Sequence, residues 1–367
     1  MSWHLIKNVN DVPSPALLVY PDRIQENVRR MIAMTGGTER LRPHIKTHKM
    51  AEVMRIQLDA GITKYKCATI AEAEMAAGAG APDMLLAYQP VGPNVSRFLA
   101  LIRQFPKTKF STVVDDESAI RALSHAAGHA GISFEVFVDI DCGMHRTGIP
   151  AGVTATALYH LVNELPGLKP GGLHAYDGHN HASDVATRTE QCTAYMSSVR
   201  GLRDELLKAG LPVPRVVASG TPTFPLHAKA GDVECSPGTT VLWDAGYGNK
   251  FKDLDFLHAA LVLTRVISRP GLNRLCLDLG HKAIAPENPH PRVYFIGLPD
   301  VKFISQSEEH LVIETDRAGE FQIGDALYGI PHHICPTVAL HGQAVVIENG
   351  QATARWEVTA RERIITI

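Results

Sequence analysis

A basic segment near the start of the chain contains the strongest candidate for covalent chemistry. Residues 42–49 read Arg-Pro-His-Ile-Lys-Thr-His-Lys, and Lys46 falls at the last position of a predicted strand. A lysine amine at the mouth of a barrel can form a Schiff base with a carbonyl compound when it is deprotonated. The alternative is an exposed lysine that caps the following helix, and the segment alone favours that alternative.

Two further side chains follow later predicted strands and suit an aromatic ligand. Arg146 follows the strand over Ser133–Ile140, where its guanidinium could donate hydrogen bonds to an anionic ring oxygen. Tyr176 ends the strand over Gly171–Tyr176, where its hydroxyl could meet a ring nitrogen. An ion pair between Arg146 and Asp141 and a half-buried barrel tyrosine are the alternatives.

Two glycine-containing loops are candidates for a phosphate site. Ser219, Gly220 and Thr221 follow the seventh predicted strand, and Gly238 and Thr239 follow the eighth. Phosphate sites in barrels are frequently built from these two loops, because glycine-containing turns leave backbone N–H groups accessible. Each segment alone suits an ordinary turn, but their joint placement favours phosphate binding.

A histidine and a cysteine near the C-terminus form a candidate metal pair. His333 and Cys335 lie two residues apart in Pro-His-His-Ile-Cys-Pro, which we interpret as an extended segment with both side chains on one face. Imidazole and thiolate are typical Zn²⁺ ligands, and two protein ligands leave positions open for water and substrate. A buried inert thiol beside a surface histidine is the more common role of such residues.

Repeated βα units position these residues. Between about residues 40 and 240, eight short β-type runs alternate with amphipathic helical segments, which predicts a parallel sheet. Eight strands predict a closed (β/α)8 barrel of the TIM type, with the active site at the C-terminal ends of the strands. The predicted strands are Leu41–Lys46, Thr63–Thr69, Asp83–Tyr88, Lys109–Asp115, Ser133–Ile140, Gly171–Tyr176, Arg215–Ser219 and Asp232–Cys235.

The rest of the chain has the pattern of a second, mainly antiparallel β-domain. The fold class is therefore α/β, with the barrel over residues 22–240 and the β-domain over residues 1–21 and 241–367. The strand Ala16–Tyr20 has no preceding helix, and we assign it to the β-domain. The other predicted strands of this domain are Leu257–Ile267, Arg274–Leu279, Val293–Ile296, His310–Glu314, Val338–Ile347 and Thr353–Thr366.

Composition restricts the class of partner. The 367 residues carry a formal net charge of -2 and no charge run, which argues against nucleic-acid and membrane partners and favours a small molecule. No signal peptide or membrane-spanning run is evident. The six cysteines lack paired spacing, as expected of reduced thiols in a cytoplasmic protein.

The ordered set of motifs resembles the fold-type III, alanine-racemase-like pyridoxal-phosphate enzymes, and within them the D-threonine aldolase and D-serine dehydratase branch. The resemblance covers nearly the whole chain. The segments that carry it are Pro13–Leu17, residues 42–49, Ser219–Thr223, Pro237–Thr239 and His333 with Cys335.

This resemblance implies a cofactor and a set of site residues. It implies that Lys46 binds pyridoxal phosphate, that Arg146 and Tyr176 contact its ring, and that the two glycine loops hold its phosphate. It also implies a divalent metal at His333 and Cys335, with Zn²⁺ favoured over Mn²⁺ or Mg²⁺. A homodimer is expected by analogy with the family.

The implied activity is that of a lyase acting on D-3-hydroxy amino acids such as D-serine, D-threonine or D-3-hydroxyaspartate. In this branch the metal pair of dehydratases is similar to His-x-Cys, and that of aldolases is more often similar to His-x-Asp. Cys335 therefore favours dehydration to a 2-oxo acid and ammonia. Retro-aldol cleavage to glycine and an aldehyde is the alternative. An amino-acid racemase, a non-catalytic pyridoxal-phosphate carrier and a sugar-phosphate barrel also remain open.

Overall fold

The structure is a computed structural model that describes residues 2–367. Strands and helices alternate from β2 to β8, and strands predominate after residue 259. In chain order the strands are β1 (Ala16–Val19), β2 (Lys64–Cys67), β3 (Asp83–Leu86), β4 (Lys109–Val114), β5 (Phe134–Asp139), β6 (Leu168–Ala175), β7 (Val216–Ala218), β8 (Glu234–Cys235), β9 (Ala260–Gly271), β10 (Arg274–Leu277), β11 (Val293–Phe295), β12 (Lys302–Gln306), β13 (Leu311–Glu314), β14 (Ala326–Pro331), β15 (Gln343–Glu348) and β16 (Gln351–Glu357). The helices are α1 (Pro21–Thr35), α2 (Ala51–Asp59), α3 (Ile70–Gly78), α4 (Pro93–Gln104), α5 (Glu117–Ala130), α6 (Val153–Glu164), α7 (Val185–Lys208), α8 (Phe224–Ala230), α9 (Ala245–Lys250) and α10 (Ile334–Leu340).

The chain divides into two compact units. The barrel unit comprises Arg29–Lys46, Met54–Gly238 and Glu362–Ile367, and the β-unit comprises Met1–Val28, Thr47–Val53 and Thr239–Arg361. Over residues 2–367, no helix is both long enough and apolar enough to cross a bilayer.

The barrel unit is built on a parallel sheet in which β2 to β8 lie side by side in chain order. An extended stretch closes this sheet, because Leu41 bridges to Cys235 of β8 and His44 bridges to Lys66 of β2, both in parallel. Pro43 interrupts the regular ladder because proline has no N–H to donate, although its carbonyl accepts from the Lys66 amide. The predicted first strand is therefore a bridged segment.

Side-chain caps fix the turns between strands and helices in the barrel unit. Thr69 accepts a hydrogen bond from the Glu72 amide at the start of α3, and Asp116 accepts one from the Ala119 amide at the start of α5. Each cap satisfies a backbone donor that has no partner inside its helix. Each of these two helices therefore begins three residues after the end of its strand, β2 or β4.

Ion pairs close the opposite end of the barrel. Buried Arg42 contacts Asp83 at 2.6 Å and Glu234 at 2.7 Å, and Lys64 contacts Glu234 at 2.6 Å. Lys64, Asp83 and Glu234 are the first residues of β2, β3 and β8, so these charges lie at the amino ends of the strands. Charges at that end serve stability, which leaves the carboxyl ends for chemistry.

The β-unit contains a nine-stranded mixed sheet. Strands β12, β13, β10, β9, β1, β15 and β16 lie in that order, while β14 pairs with both β11 and β9. The strand predicted over Ala16–Tyr20 is confirmed as β1, which pairs antiparallel with β9 and parallel with β15. Two apolar clusters form the core, one including Leu275, Ile313 and Leu327 and the other Leu18 and Leu263.

The structure confirms the predicted α/β class with a parallel barrel-type sheet and a largely antiparallel β-domain, but the parallel sheet has seven regular strands and not the predicted eight. Strands β12 and β14 were not predicted, and the strand predicted over Val338–Ile347 is wrong in its first half because α10 extends to Leu340. The division predicted at residues 21 and 240 stays a prediction.

Candidate active site

A cavity of about 410 Å³ opens at the carboxyl ends of the barrel strands. Lys46, Arg146 and Tyr176, all predicted as site residues, line it together. The Lys46 Nζ lies 5.9 Å from the centroid of the Tyr176 ring, and the Arg146 Cζ lies 4.9 Å from that centroid. The prediction that these three side chains share one site therefore has a geometric basis.

Lys46 is half-buried and lies in a 3-10 turn over Ile45–Thr47, not at the end of a regular strand. The turn follows directly after His44, whose bridge to Lys66 ends the extended stretch. Lys46 therefore lies one turn beyond the sheet, at the mouth of the cavity.

A second lysine lines the same cavity and was not predicted. Lys66 is 1% exposed, and its Nζ lies 5.5 Å from the Tyr176 centroid. Burial, followed by the charge of Lys46, lowers the pKa of Lys66 to about 7. The signal available in the sequence was its position inside a predicted barrel strand, Thr63–Thr69.

A histidine and a carboxylate form a buried pair beside Lys66. The Nδ1 of His174 lies 2.6 Å from the Asp139 carboxylate, which also accepts a hydrogen bond from Thr147 at 3.0 Å. Burial lowers the pKa of His174 despite this partner, which favours a neutral ring that donates from Nδ1. The buried Nε2 is then an acceptor, and it has no hydrogen-bond partner.

The carboxylate of Asp177 organises the loop after β7. Its Oδ1 accepts hydrogen bonds from the Gly220 amide at 2.7 Å and the Thr223 hydroxyl at 2.8 Å. Its Oδ2 accepts one from the Tyr195 hydroxyl at 2.9 Å and lies 2.7 Å from the Nε2 of His227. The amide of Gly220, predicted as a phosphate donor, is therefore already engaged by a carboxylate.

Asp177, Cys192 and His227 also bring three potential metal ligands within 4.8 Å of one another. Burial alone would lower the pKa of His227, but hydrogen bonds to Asp177 and Cys192 outweigh it and raise that pKa to about 10. A charged imidazole cannot bind a metal through the nitrogen that donates to Asp177. Because both oxygens of Asp177 already have two donors each, the cluster is better described as a buried ion pair than as a metal site.

The loops after β7 and β8 meet through polar side chains. The Gly238 amide donates to the Thr221 hydroxyl at 3.2 Å, and the Ser236 amide donates to the Ser219 hydroxyl at 3.0 Å. Ser219 adopts a left-handed backbone with φ 77°, a conformation that costs energy for a residue with a Cβ. The hydroxyl of Ser236 is buried without a partner. Thr239, the remaining predicted phosphate residue, begins a short 3-10 turn.

In the β-unit, His333 and Cys335 contact each other, but not on an extended segment as predicted. His333 is the N-cap of α10, and Cys335 lies in its first turn. The extended interpretation is wrong because α10 begins at Ile334, and Pro336 is tolerated in the first turn of a helix. The two side chains still form a hydrogen bond with each other, although the segment is helical and not extended.

The surroundings of this pair favour a thiolate. The Nδ1 of His333 lies 2.6 Å from the Glu287 carboxylate, and the Thr47 hydroxyl lies 3.2 Å from the Cys335 sulfur. Burial alone would raise the pKa of Cys335, but hydrogen bonds with His333 and Thr47 outweigh it and lower that pKa. Glu287 was not predicted, because 46 residues separate it from His333.

Family comparisons agree with this architecture. Residues 19–243 match the alanine racemase N-terminal domain family, and residues 259–347 match a serine dehydratase domain. Because the first match covers more than half of the chain, the protein belongs to the alanine racemase N-terminal domain family.

Particular relatives narrow the class of enzyme. The chain is 30% identical to the 3-hydroxy-D-aspartate aldolase of Paracoccus denitrificans over 96% of this chain and 93% of that protein. The crystal structure of D-threonine aldolase from Filomicrobium marinum has a TM-score of 0.89 at 28% identity and covers 96% of each chain. D-threo-3-hydroxyaspartate dehydratase from Delftia sp. HT23 has a TM-score of 0.81 at 26% identity, over 94% of this chain and 97% of that chain. The resemblance predicted from the motifs is therefore confirmed, and the enzyme is a lyase in class.

Proposed function

We propose that the protein is a pyridoxal-phosphate-dependent and metal-dependent lyase of D-3-hydroxy amino acids. The observation that carries the proposal is the half-buried Lys46, whose amine shares a cavity with Arg146 and Tyr176. A lysine amine can bind an aromatic aldehyde, an arginine can bind its ring oxygen, and a tyrosine can meet its ring nitrogen. The lyase relatives support the reaction class.

Polar atoms of the barrel unit fit this cofactor. His174 Nε2 and Ser236 Oγ are buried without protein partners, as expected of groups that complete their hydrogen bonds with a ligand. The cavity falls within the roughly 300–1,000 Å³ typical of small-molecule sites. The residues that would hold the phosphate are Ser219, Gly220, Thr221, Gly238 and Thr239. The amides of Gly220 and Gly238 already donate to Asp177 and Thr221, so hydroxyls are the donors that we propose.

The donor set of the β-unit fits a divalent ion. His333 and Cys335 offer a nitrogen and a sulfur, the combination that selects Zn²⁺ over Mg²⁺ and, less strongly, over Mn²⁺. Because Nδ1 of His333 is directed to Glu287, its Nε2 would be the metal ligand. The dehydratase from Delftia has been solved as a cysteine-to-alanine variant in a metal-free form, which supports a cysteine ligand.

The two groups would supply complementary chemistry. Bound pyridoxal phosphate supplies a sink for the electrons of the bond that breaks at the substrate α-carbon. A divalent ion at His333 and Cys335 would supply Lewis acidity at the β-hydroxyl. In dehydration the amine of Lys46 takes the α-proton, while Arg146 and Tyr176 hold the ring in place.

Dehydration to a 2-oxo acid and ammonia is the reaction that we favour, because the thiolate at position 335 resembles the dehydratase form of the metal pair. Retro-aldol cleavage is the second candidate, and the 30% identity to an aldolase favours it. The substrate is a small D-amino acid in both cases. We propose a cytoplasmic homodimer. The absence of any disulfide among the six cysteines, all within residues 2–367, supports the compartment but not the dimer.

Product analysis tests the proposal. Purified full-length protein with pyridoxal phosphate and Zn²⁺ is incubated with D-serine, D-threonine or D-3-hydroxyaspartate, and with each L-enantiomer as a control. We expect ammonia and a 2-oxo acid from a D-enantiomer, with loss of turnover after chelation and recovery on adding Zn²⁺. Glycine and aldehyde would support the aldolase alternative, and racemised substrate without either product set would overturn the lyase assignment.

A further inference from the structure

Lys66 is a buried amine on which Asp139 and Asp177 act only through longer-range attraction, with no carboxylate in direct contact. Its side chain is 1% exposed and lines the cavity. Within residues 2–367, no carboxylate lies within 4 Å of its ammonium nitrogen, and its nearest described aromatic contact is the ring of Tyr176. A lysine in this position needs an explanation outside the protein's own ion pairs.

The neighbouring carboxylates do not provide that explanation. Asp139 is bonded to His174 and Thr147, and Asp177 already has two donors on each oxygen. Burying an unpaired charge is costly, and a methionine of similar volume would fill the same space without that cost. Retention of an amine therefore indicates that a ligand supplies the missing partner.

The position of Lys66 selects the kind of ligand group. Its bridge to His44 places it level with a residue two positions before Lys46, on the adjacent extended stretch. The two lysine nitrogens lie 5.9 and 5.5 Å from one ring centroid, but Lys66 is the more deeply buried. A molecule bound at Lys46 would close the mouth of the cavity and block access of a second ligand to Lys66. The group that contacts Lys66 therefore belongs to the molecule bound at Lys46.

We propose that Lys66 binds the anionic ring oxygen of the cofactor, as a second cofactor-contacting lysine. This inference depends on the proposed function. In pyridoxal phosphate the ring oxygen is attached next to the carbon that bears the aldehyde, so its partner must lie near the lysine that binds the aldehyde. Lys66 meets that requirement from the buried interior and would join Arg146, an exposed residue of the same cavity, on that oxygen. A charge-assisted hydrogen bond gives the buried ammonium its missing partner.

The test compares Lys66→Met with Lys64→Met. Lys64 lies two residues earlier on β2 and pairs with Glu234 at the start of the strand, which makes it a matched control. Dissociation constants for pyridoxal phosphate are measured by fluorescence titration of cofactor-stripped full-length protein, and melting temperatures are recorded without cofactor. We expect Lys66→Met to weaken cofactor binding about 10- to 100-fold, as for loss of one charge-assisted hydrogen bond, and to raise the melting temperature. Lys64→Met should leave cofactor binding unchanged and lower the melting temperature.

A cofactor analogue methylated on the ring oxygen identifies the group that Lys66 binds. Wild type and Lys66→Met should bind this analogue equally, because it has no anionic ring oxygen. Equal affinity of both proteins for pyridoxal phosphate itself would overturn the inference. So would a Lys66→Met variant that loses as much affinity for the methylated analogue as for pyridoxal phosphate. Failure of the wild type to bind pyridoxal phosphate at all would instead count against the proposed function.

Discussion

The buried pair of Asp177 and His227 gives a quantitative test of how the loop after β7 is held. Asp177→Asn preserves the shape of the side chain but removes its charge. The amide oxygen can still accept from Gly220 and Thr223, whereas the amide nitrogen faces the donating Nε2 of His227. The variant therefore removes one partner of a buried ion pair and leaves the other in place.

The loss of unfolding free energy in Asp177→Asn follows from the typical cost of breaking a buried ion pair and from the pKa of His227. Removing one partner from a buried pair typically costs about 3–5 kcal/mol of unfolding free energy. The pKa of His227, raised from 6.5 to about 10, corresponds to roughly 5 kcal/mol at about 1.4 kcal/mol for each tenfold change in proton affinity, an upper bound for Asp177 because Cys192 also raises this pKa. We therefore expect Asp177→Asn to cost about 3–5 kcal/mol near neutral pH.

The pH dependence follows from the direction of the two pKa shifts. A histidine whose pKa is raised by folding contributes stability fully below its unfolded pKa of about 6.5, and loses that contribution as the pH rises through about 10. The pKa of Asp177 is lowered despite burial, through its bonds to His227 and Thr223, so its contribution is present above an unfolded pKa of about 4. The cost of the variant should therefore be largest from about pH 4 to 6.5 and decline towards pH 10.

Urea unfolding of wild type and variant between pH 5 and 10 measures this cost. Asp232→Asn is a matched control, because Asp232 contacts Arg200 at a similar 2.6 Å, but both side chains are about 30% exposed. An exposed pair of this kind contributes about 1 kcal/mol or less. If Asp177→Asn cost no more than the control, or cost the same at pH 6 and pH 10, the assignment of a buried ion pair would be wrong.

Three further substitutions test the cofactor and metal sites. Glu287→Gln should weaken Zn²⁺ binding about 10- to 100-fold in a calorimetric titration, because it weakens the orientation of the histidine ligand, and unchanged affinity would remove that role. Gly178→Ala should weaken cofactor binding, because a Cβ there would overlap the Tyr176 hydroxyl, whereas the control Gly128→Ala places its Cβ in open space; equal affinities in the two variants would contradict this. Cys335→Asp should shift metal preference from Zn²⁺ towards Mn²⁺ or Mg²⁺ in competition assays, since it replaces a soft ligand by a hard one, and an unchanged preference would argue against a sulfur ligand.

Local sequence signals were sufficient for the βα units and for the motif around Lys46. Strand periodicity predicted β2 to β8 in their order along the chain. Lys46, predicted at the end of the first strand, lines the cavity at the mouth of the barrel. The local backbone was less predictable, because Pro43 interrupts the first strand and α10 begins at Ile334. Short segments of this kind fit a strand, a turn or a helix until their tertiary partners are known.

Contacts between residues far apart in the chain could not be predicted from one sequence. Asp177 meets His227 across 50 residues and Tyr195 across 18, and neither spacing forms a recognisable motif. Glu287 reaches His333 only because the fold of the β-unit brings them together. Lys66 differs, because a lysine within a buried strand is itself a signal of unusual chemistry.

Covalent labelling of the holoenzyme tests the central claim most directly. Sodium borohydride reduction fixes the cofactor to the lysine that binds it, and mass spectrometry of the digested protein identifies that residue. We expect a single labelled peptide, with the cofactor attached to Lys46. A label on Lys66, on Lys49 or on any other lysine would contradict it.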